Sequence, residues 1–174
     1  MNIEKAVQAL REGKTIIYPT DTVYGIGADA TNAEAVAKVY EMKQIPKDQP
    51  ISVLVADFKM LYEYAEVSPE QRQILMKKLP GPHTFILKPK QKLYVSSGNV
   101  AFRMPKHDCT KIAKAFGKPI TTTVANVNGQ VTYGNIHDLR KVFGDKVSEY
   151  VDGGKLNAVP SPITDLTANK IVRR

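Results

Sequence analysis

The chain has 174 residues, 43% of them hydrophobic and 24% charged, which suits one packed core and excludes a disordered composition. Its formal net charge of +8 favours polyanionic partners. No apolar run approaches the roughly 18 residues of a membrane helix, and a lone cysteine, Cys109, rules out an internal disulfide and fits a reducing cytoplasm. Three scattered histidines with that cysteine do not compose a zinc site, so no resident metal is expected.

Residues 1–5 open directly into a helix-like pattern, without the charged-then-apolar signature of a signal segment. Residues 14–18 read as a short strand ended by Pro19. Gly13-Lys14-Thr15 precedes that strand, whereas a phosphate loop follows one and needs a glycine where this chain has Gln8. Leaving the strand, Pro19-Thr20-Asp21-Thr22-Val23-Tyr24-Gly25 gathers three hydroxyls and a carboxylate, as either a ligand loop or turn chemistry would. Thr31-x-x-Glu34 then reads as a capping box, opening a helix with Ala33, Val36, Ala37 and Tyr40 on one face. Pro46 stops it near Gln44. Lys43, at that end, suits the helix dipole or a triphosphate.

Residues 51–55 read as a buried strand. Ser68-Pro69 with Gln71 caps another helix, and Pro80-Gly81 ends it. Strands follow at 84–87, 100–103 and 120–125, helices within 108–116 and 135–143, and 163–172 is extended. This imperfect alternation predicts an α/β or α+β fold with a mixed sheet, in a single domain spanning 1–174.

Residues 71–107 contain no acid and eight cations: Arg72, Lys77, Lys78, Lys88, Lys90, Lys92, Arg103 and Lys106. The segment reads as a structured surface facing nucleotide phosphates, RNA, or both; a solvated basic face is the plainer alternative. Within it, the Arg103 guanidinium suits bidentate capture of a carboxylate or phosphate. Residues 121–129 run from strand into turn. Asn126 and the preceding hydroxyls suit an adenine edge and ribose, while Asn128-Gly129 is equally plain turn chemistry.

Taken in order, residues 14–30, Lys43, Pro80-Gly81-Pro82-His83-Thr84, Arg103-Met104-Pro105, 123–129, Asp152-Gly153-Gly154 and 161–167 resemble the YrdC-like family. Gln44-Ile45-Pro46 and residues 84–88 are similar to its YciO branch. The resemblance implies a twisted mixed sheet, flanked by helices, around a basic concave cavity, with no further C-terminal domain. The implied activity is cytoplasmic synthesis of threonylcarbamoyl-AMP from L-threonine, bicarbonate and Mg-ATP, releasing pyrophosphate and feeding threonylcarbamoyladenosine formation in tRNA.

By motif position, Thr20, Thr22, Tyr24 and Thr84 would line the threonine and bicarbonate site, and Arg103 would hold the threonine carboxylate or carbamate. Lys43, Thr123, Ala125, Asn126, Ser161 and Arg173 would hold the nucleotide, with Lys43 and Arg103 carrying the chemistry. Three positions depart from the synthase pattern: Ile45 replaces an arginine, Val124 a serine, and Pro162 a threonine. A lost charge-assisted bond is worth about 1.5–3 kcal/mol, a ten- to hundred-fold loss in nucleotide affinity unless Lys47 or the basic segment compensates. The alternative implied role is a YciO-like protein that binds double-stranded RNA, tRNA or the ribosome with weak or no synthase activity. Partner proteins of the tRNA-modification pathway are implied on the first reading.

Overall fold

The computed structural model describes residues 2–168 and 170–172. Helix α1 (Ile3–Arg11) begins where Asn2 Oδ1 accepts the Lys5 amide at 3.2 Å. Strands β1 (Ile16–Tyr18) and β2 (Gly25–Gly27) pair antiparallel, with Ile17 opposite Ile26. Helix α2 (Ala33–Lys43) is capped by Asn32, not Thr31. Both Thr31 donors, amide and hydroxyl, go instead to Asp29 Oδ1 at 2.8 and 2.7 Å, which shifts the helix start by one residue. Its buried face is accordingly Ala35, Val36, Val39, Tyr40, Met42 and Lys43, with Ala33 and Ala37 exposed. Gln44 closes it at φ 53°.

After β3 (Val53–Leu54) come α3 (Phe58–Tyr64), β4 (Ala65–Glu66) and α4 (Pro69–Lys78). The Ser68–Gln71 capping box of α4 forms as expected; such a cap contributes about 1 kcal/mol. Then follow β5 (Thr84–Pro89), β6 (Val100–Arg103), α5 (Thr110–Phe116), β7 (Ile120–Thr121), β8 (Thr123–Val124), α6 (Ile136–Phe143), β9 (Glu149–Tyr150), β10 (Ile163–Asp165) and β11 (Lys170–Val172).

The strands form two mixed sheets, one ordered β8-β2-β1-β9 and the other β11-β10-β5-β6-β3-β7, with β4 added beside β5. In the first, β9 runs parallel to β1. In the second, β3 is parallel to β6 and β10 to β5, and the remaining pairs are antiparallel. Strand β1 is buried on both faces. Ile17 joins Tyr24, Val39, Val53 and Phe102 in one core, and Ile16 and Tyr18 join Leu10 of α1 and Ile112 of α5 in the other. Full burial of each such side chain contributes about 1.5–3 kcal/mol.

Residues 120–125, expected as one strand, divide between the sheets. Strand β7 pairs with β3 and β8 with β2. Thr121 makes the change possible: its hydroxyl accepts the Ala28 amide at 2.9 Å and donates to the Ile26 carbonyl at 3.0 Å. It thereby replaces ladder bonds where the chain switches sheets. The site lies at this crossing. Among the described residues no helix is long and apolar enough to cross a membrane.

Candidate active site

Two concavities meet at the sheet crossing. The inner one is a chamber of about 20 Å³, lined by Thr20, Tyr24, Ser52, Thr84, Arg103, Thr122 and Ser161 among others. That is room for about one water molecule. The outer one is a cleft of about 410 Å³, lined by Lys43, Ile45, Gln49, Pro50, Ile51, Asn126, Asn128, Thr132 and Val159 among others. Thr123, Val124 and Pro160 belong to both and form the wall between them. Two cations and no carboxylate stand among these lining residues.

The inner chamber is built by mutual hydrogen bonding. Where the loop leaves β1, Thr20 Oγ1 donates to the Val23 carbonyl at 2.7 Å and accepts the Thr22 amide at 3.1 Å. Arg103, at the end of β6, is only 6% exposed. Its Nη2 donates to Asp21 Oδ1 at 2.5 Å and to Thr22 Oγ1 at 2.6 Å. The other Asp21 oxygen accepts the Lys106 amide at 3.0 Å. With both Nη2 protons committed, the bidentate capture expected of Arg103 would require releasing one of them. The Nε–H is buried and without a partner among the described residues, so the two Nη1 protons are the donors left to face a ligand. Opposite, the hydroxyls of Thr84 and Ser161 lie 2.7 Å apart.

Tyr24 serves the rim. Its hydroxyl donates to the Gly154 carbonyl at 2.7 Å and accepts the Gly153 amide at 2.9 Å. Burial pushes its pKa above the ordinary tyrosine value, so the hydroxyl stays protonated at neutral pH. Gly153 must be glycine here, because a Cβ would lie 2.4 Å from Pro19 Cβ.

In the outer cleft, Lys43 is buried at the last turn of α2 and donates to the Val124 carbonyl at 2.6 Å, Asn126 Oδ1 at 2.8 Å and the Asn126 carbonyl at 2.9 Å. The Lys43 carbonyl in turn accepts the Asn128 amide at 2.8 Å. The lysine therefore fastens turn 124–128 against α2 and places a positive charge in the cleft wall.

The structure thus brings Thr20, Tyr24, Thr84, Arg103, Thr123 and Ser161 to the inner chamber and Lys43, Thr123 and Asn126 to the outer cleft. Thr22 stands behind Arg103 as its acceptor. Ala125 lines neither concavity; its amide donates to the Tyr24 carbonyl at 2.8 Å. Ser161, expected beside the nucleotide, bonds Thr84. Arg173 lies outside the described residues.

Of the three departures, Ile45 and Val124 line the outer cleft, while Pro162 lines neither concavity and offers its carbonyl to the Thr84 amide at 3.1 Å. Lys47 lines a separate groove with Lys92 and Tyr94. Of the eight cations in the acid-free segment, only Arg103 lines either concavity. Lys88 pairs with Glu66 at 3.1 Å, Lys90 donates to the Tyr62 carbonyl at 2.7 Å, and Arg72 stacks over the Tyr62 ring. The expected single anion-facing surface therefore resolves into several local roles. Sequence reasoning passed over Ser52 and Pro160, and took Thr122 only as one of the hydroxyls before Asn126. Ser52 and Thr122 meet through the Thr122 amide and Ser52 carbonyl at 2.8 Å, a contact with no local signature.

Comparison with known proteins bears on the family and the fold. The family model for Sua5/YciO/YrdC, described as "Telomere recombination", matches residues 8–174. A threonylcarbamoyl-AMP synthase of Vibrio parahaemolyticus is 31% identical over 182 residues, covering 99% of this chain and 98% of that protein. One from Pyrococcus abyssi is 35% identical over 173 residues, covering 95% of this chain; the chain spans 51% of that relative's length. The crystal structure of P. abyssi Sua5 complexed with L-threonine superposes with a TM-score of 0.89 at 32% identity, over 95% of this chain and 51% of that one. E. coli YciO shares the fold, with a TM-score of 0.89 at 24% identity over 99% of this chain and 88% of that one. The chain belongs to the Sua5/YciO/YrdC family.

Proposed function

We propose that this chain is a threonylcarbamoyl-AMP synthase, joining L-threonine, bicarbonate and Mg-ATP and releasing pyrophosphate and water. The observation that carries the reading is the shared wall of Thr123, Val124 and Pro160. It sets a hydroxyl-lined chamber holding a buried guanidinium directly against a cleft of nucleotide size. Relatives named for this synthesis, similar over nearly the whole of this chain, support it.

On this reading the threonine carboxylate meets the Arg103 Nη1 donors, since the inner chamber admits a carboxylate oxygen but not a whole amino acid. The rest of the molecule lies across the shared wall. Its amine attacks the carbon of bicarbonate, an N–C bond forms and water leaves. A carbamate oxygen then attacks the α-phosphorus of ATP, the α–β P–O bond breaks, and pyrophosphate departs. Thr123 and Asn126, in a turn held by Lys43, seat the adenylate, and the Lys43 charge offsets that of the phosphates. Magnesium enters with the nucleotide as Mg-ATP. No covalent enzyme intermediate is needed, because the reaction asks for positioning and electrostatic stabilisation. The product would supply threonylcarbamoyladenosine formation in tRNA, with tRNA-modification proteins as partners.

Ile45 and Val124 in the outer cleft favour a second reading: a YciO-like protein that binds RNA and synthesises little adenylate. Incubating the chain with L-threonine, bicarbonate and Mg-ATP and following pyrophosphate release with mass detection of threonylcarbamoyl-AMP separates the two. Threonine-dependent formation of both products is expected. Their absence, together with RNA binding that weakens steeply with salt, would establish the second reading.

A further inference from the structure

We propose that Asp21 is a positioning residue that aims the Arg103 guanidinium, an inference that rests on the reading of Arg103 as the group that meets the substrate carboxylate. Asp21 lies on the loop after β1 and Arg103 at the end of β6, 82 residues apart, and the side chains are 12% and 7% exposed. Each carboxylate oxygen has a separate task. Oδ1 takes Nη2 of Arg103 at 2.5 Å, and Oδ2 takes the Lys106 amide at 3.0 Å. The carboxylate therefore ties the guanidinium and the backbone three residues beyond it to one rigid point.

The consequence is orientational. A guanidinium presents its donors in one plane. With both Nη2 protons committed, to Asp21 and Thr22, the plane is fixed, which aims the Nη1 protons while the Nε–H stays buried and unpartnered among the described residues. The ion pair also lowers the positive charge acting on an incoming carboxylate, so recognition draws on the placed N–H as well as on net attraction. Asparagine at this position would still accept from Arg103 through its oxygen. Its amide, however, would face the Lys106 N–H donor to donor, and the charge would be gone.

The test compares the full-length chain with D21N and D21E by nitrogen-15 NMR of the arginine Nε–Hε groups, using R103K to identify the Arg103 resonance by its loss. In the unaltered chain the Arg103 Nε–Hε exchanges slowly with water. In D21N its exchange accelerates by about ten-fold or more, and D21E restores most of the protection. Turnover of D21N falls by about ten-fold or more, while threonine affinity shifts less than about three-fold, because lost order is offset by an unshielded cation. ATP affinity stays close to the original, while the melting temperature falls because the Arg103 charge loses its buried partner. Unchanged exchange in D21N would overturn the inference. So would a fall in ATP affinity in step with turnover, which marks general damage. If the unaltered chain makes no threonylcarbamoyl-AMP, the synthase reading fails by itself, and the exchange rates still decide whether Asp21 aims Arg103.

Discussion

Around the inner chamber, polar groups satisfy one another: Thr20 with the Val23 carbonyl, Thr84 with Ser161, Arg103 with Asp21 and Thr22. Around the outer cleft one cation, Lys43, stands among the polar Gln49, Asn126, Asn128 and Thr132 and the apolar Ile45, Pro50, Ile51 and Val124. The first region is chemically particular, because the pairs Thr84–Ser161 and Arg103–Asp21 join residues 77 and 82 positions apart in sequence. The second is wider and mixes amide and hydroxyl side chains with apolar ones, held in shape by one lysine that clasps a turn. Substrate discrimination should therefore reside in the inner chamber, and the outer cleft should set how tightly a nucleotide is held.

The largest effect is expected at Arg103. R103A removes the only charged lining group of the chamber and leaves Asp21 unpaired, which costs about 3–5 kcal/mol of stability. Turnover should fall by about a hundred- to a thousand-fold, the range seen when a preorganised donor is lost. Denaturation and pyrophosphate release measure the two together, and R103K separates them by keeping the charge. Retained turnover in either variant would show that the chamber does not carry the chemistry.

K43A addresses the other region. Three oxygens lose their donor, turn 124–128 loosens, and Mg-ATP affinity should drop by about ten- to a hundred-fold with threonine affinity unchanged. Calorimetry with each ligand alone distinguishes this from a loss in both. I45R runs the opposite way. A guanidinium at the cleft wall should tighten Mg-ATP by about ten-fold or more. No gain would mean that Ile45 is not what limits nucleotide binding.

The smallest effect concerns pH. Burial, with Lys78 nearby, lowers the His83 pKa below its ordinary 6.5. The folded state then binds this proton less readily than the unfolded one, so the contribution is complete above pH 6.5 and is lost as pH falls through the lower folded value. H83Q should flatten the pH dependence of the melting temperature slightly below pH 6.5. An unchanged slope would assign that dependence to other groups.

Much of the frame was legible in the sequence, because caps and prolines act locally. Ser68 with Gln71 starts α4, and Pro46 bounds α2. Asn32 displaced Thr31 as the cap only because Asp29 claims both Thr31 donors. Strand β2 was not legible: Gly-Ile-Gly reads as turn, yet a Cβ on Gly27 would come within 2.7 Å of the Tyr18 ring. The switch of sheets at Thr121 and the Asp21–Arg103 pair join residues 82 or more positions apart, beyond any local pattern. The candidate site residues were reached by motif order, and the geometry then separated those that line a concavity from Thr22 and Ala125, which line neither.

The most direct test of the division between chambers is calorimetric titration of L-threonine into the unaltered chain and into K43A, each with and without Mg-ATP. Threonine affinity that is the same in both chains without nucleotide, and strengthened by Mg-ATP mainly in the unaltered chain, is the expected result. Threonine binding lost in K43A even without nucleotide would contradict it, because the two regions would then act as one site.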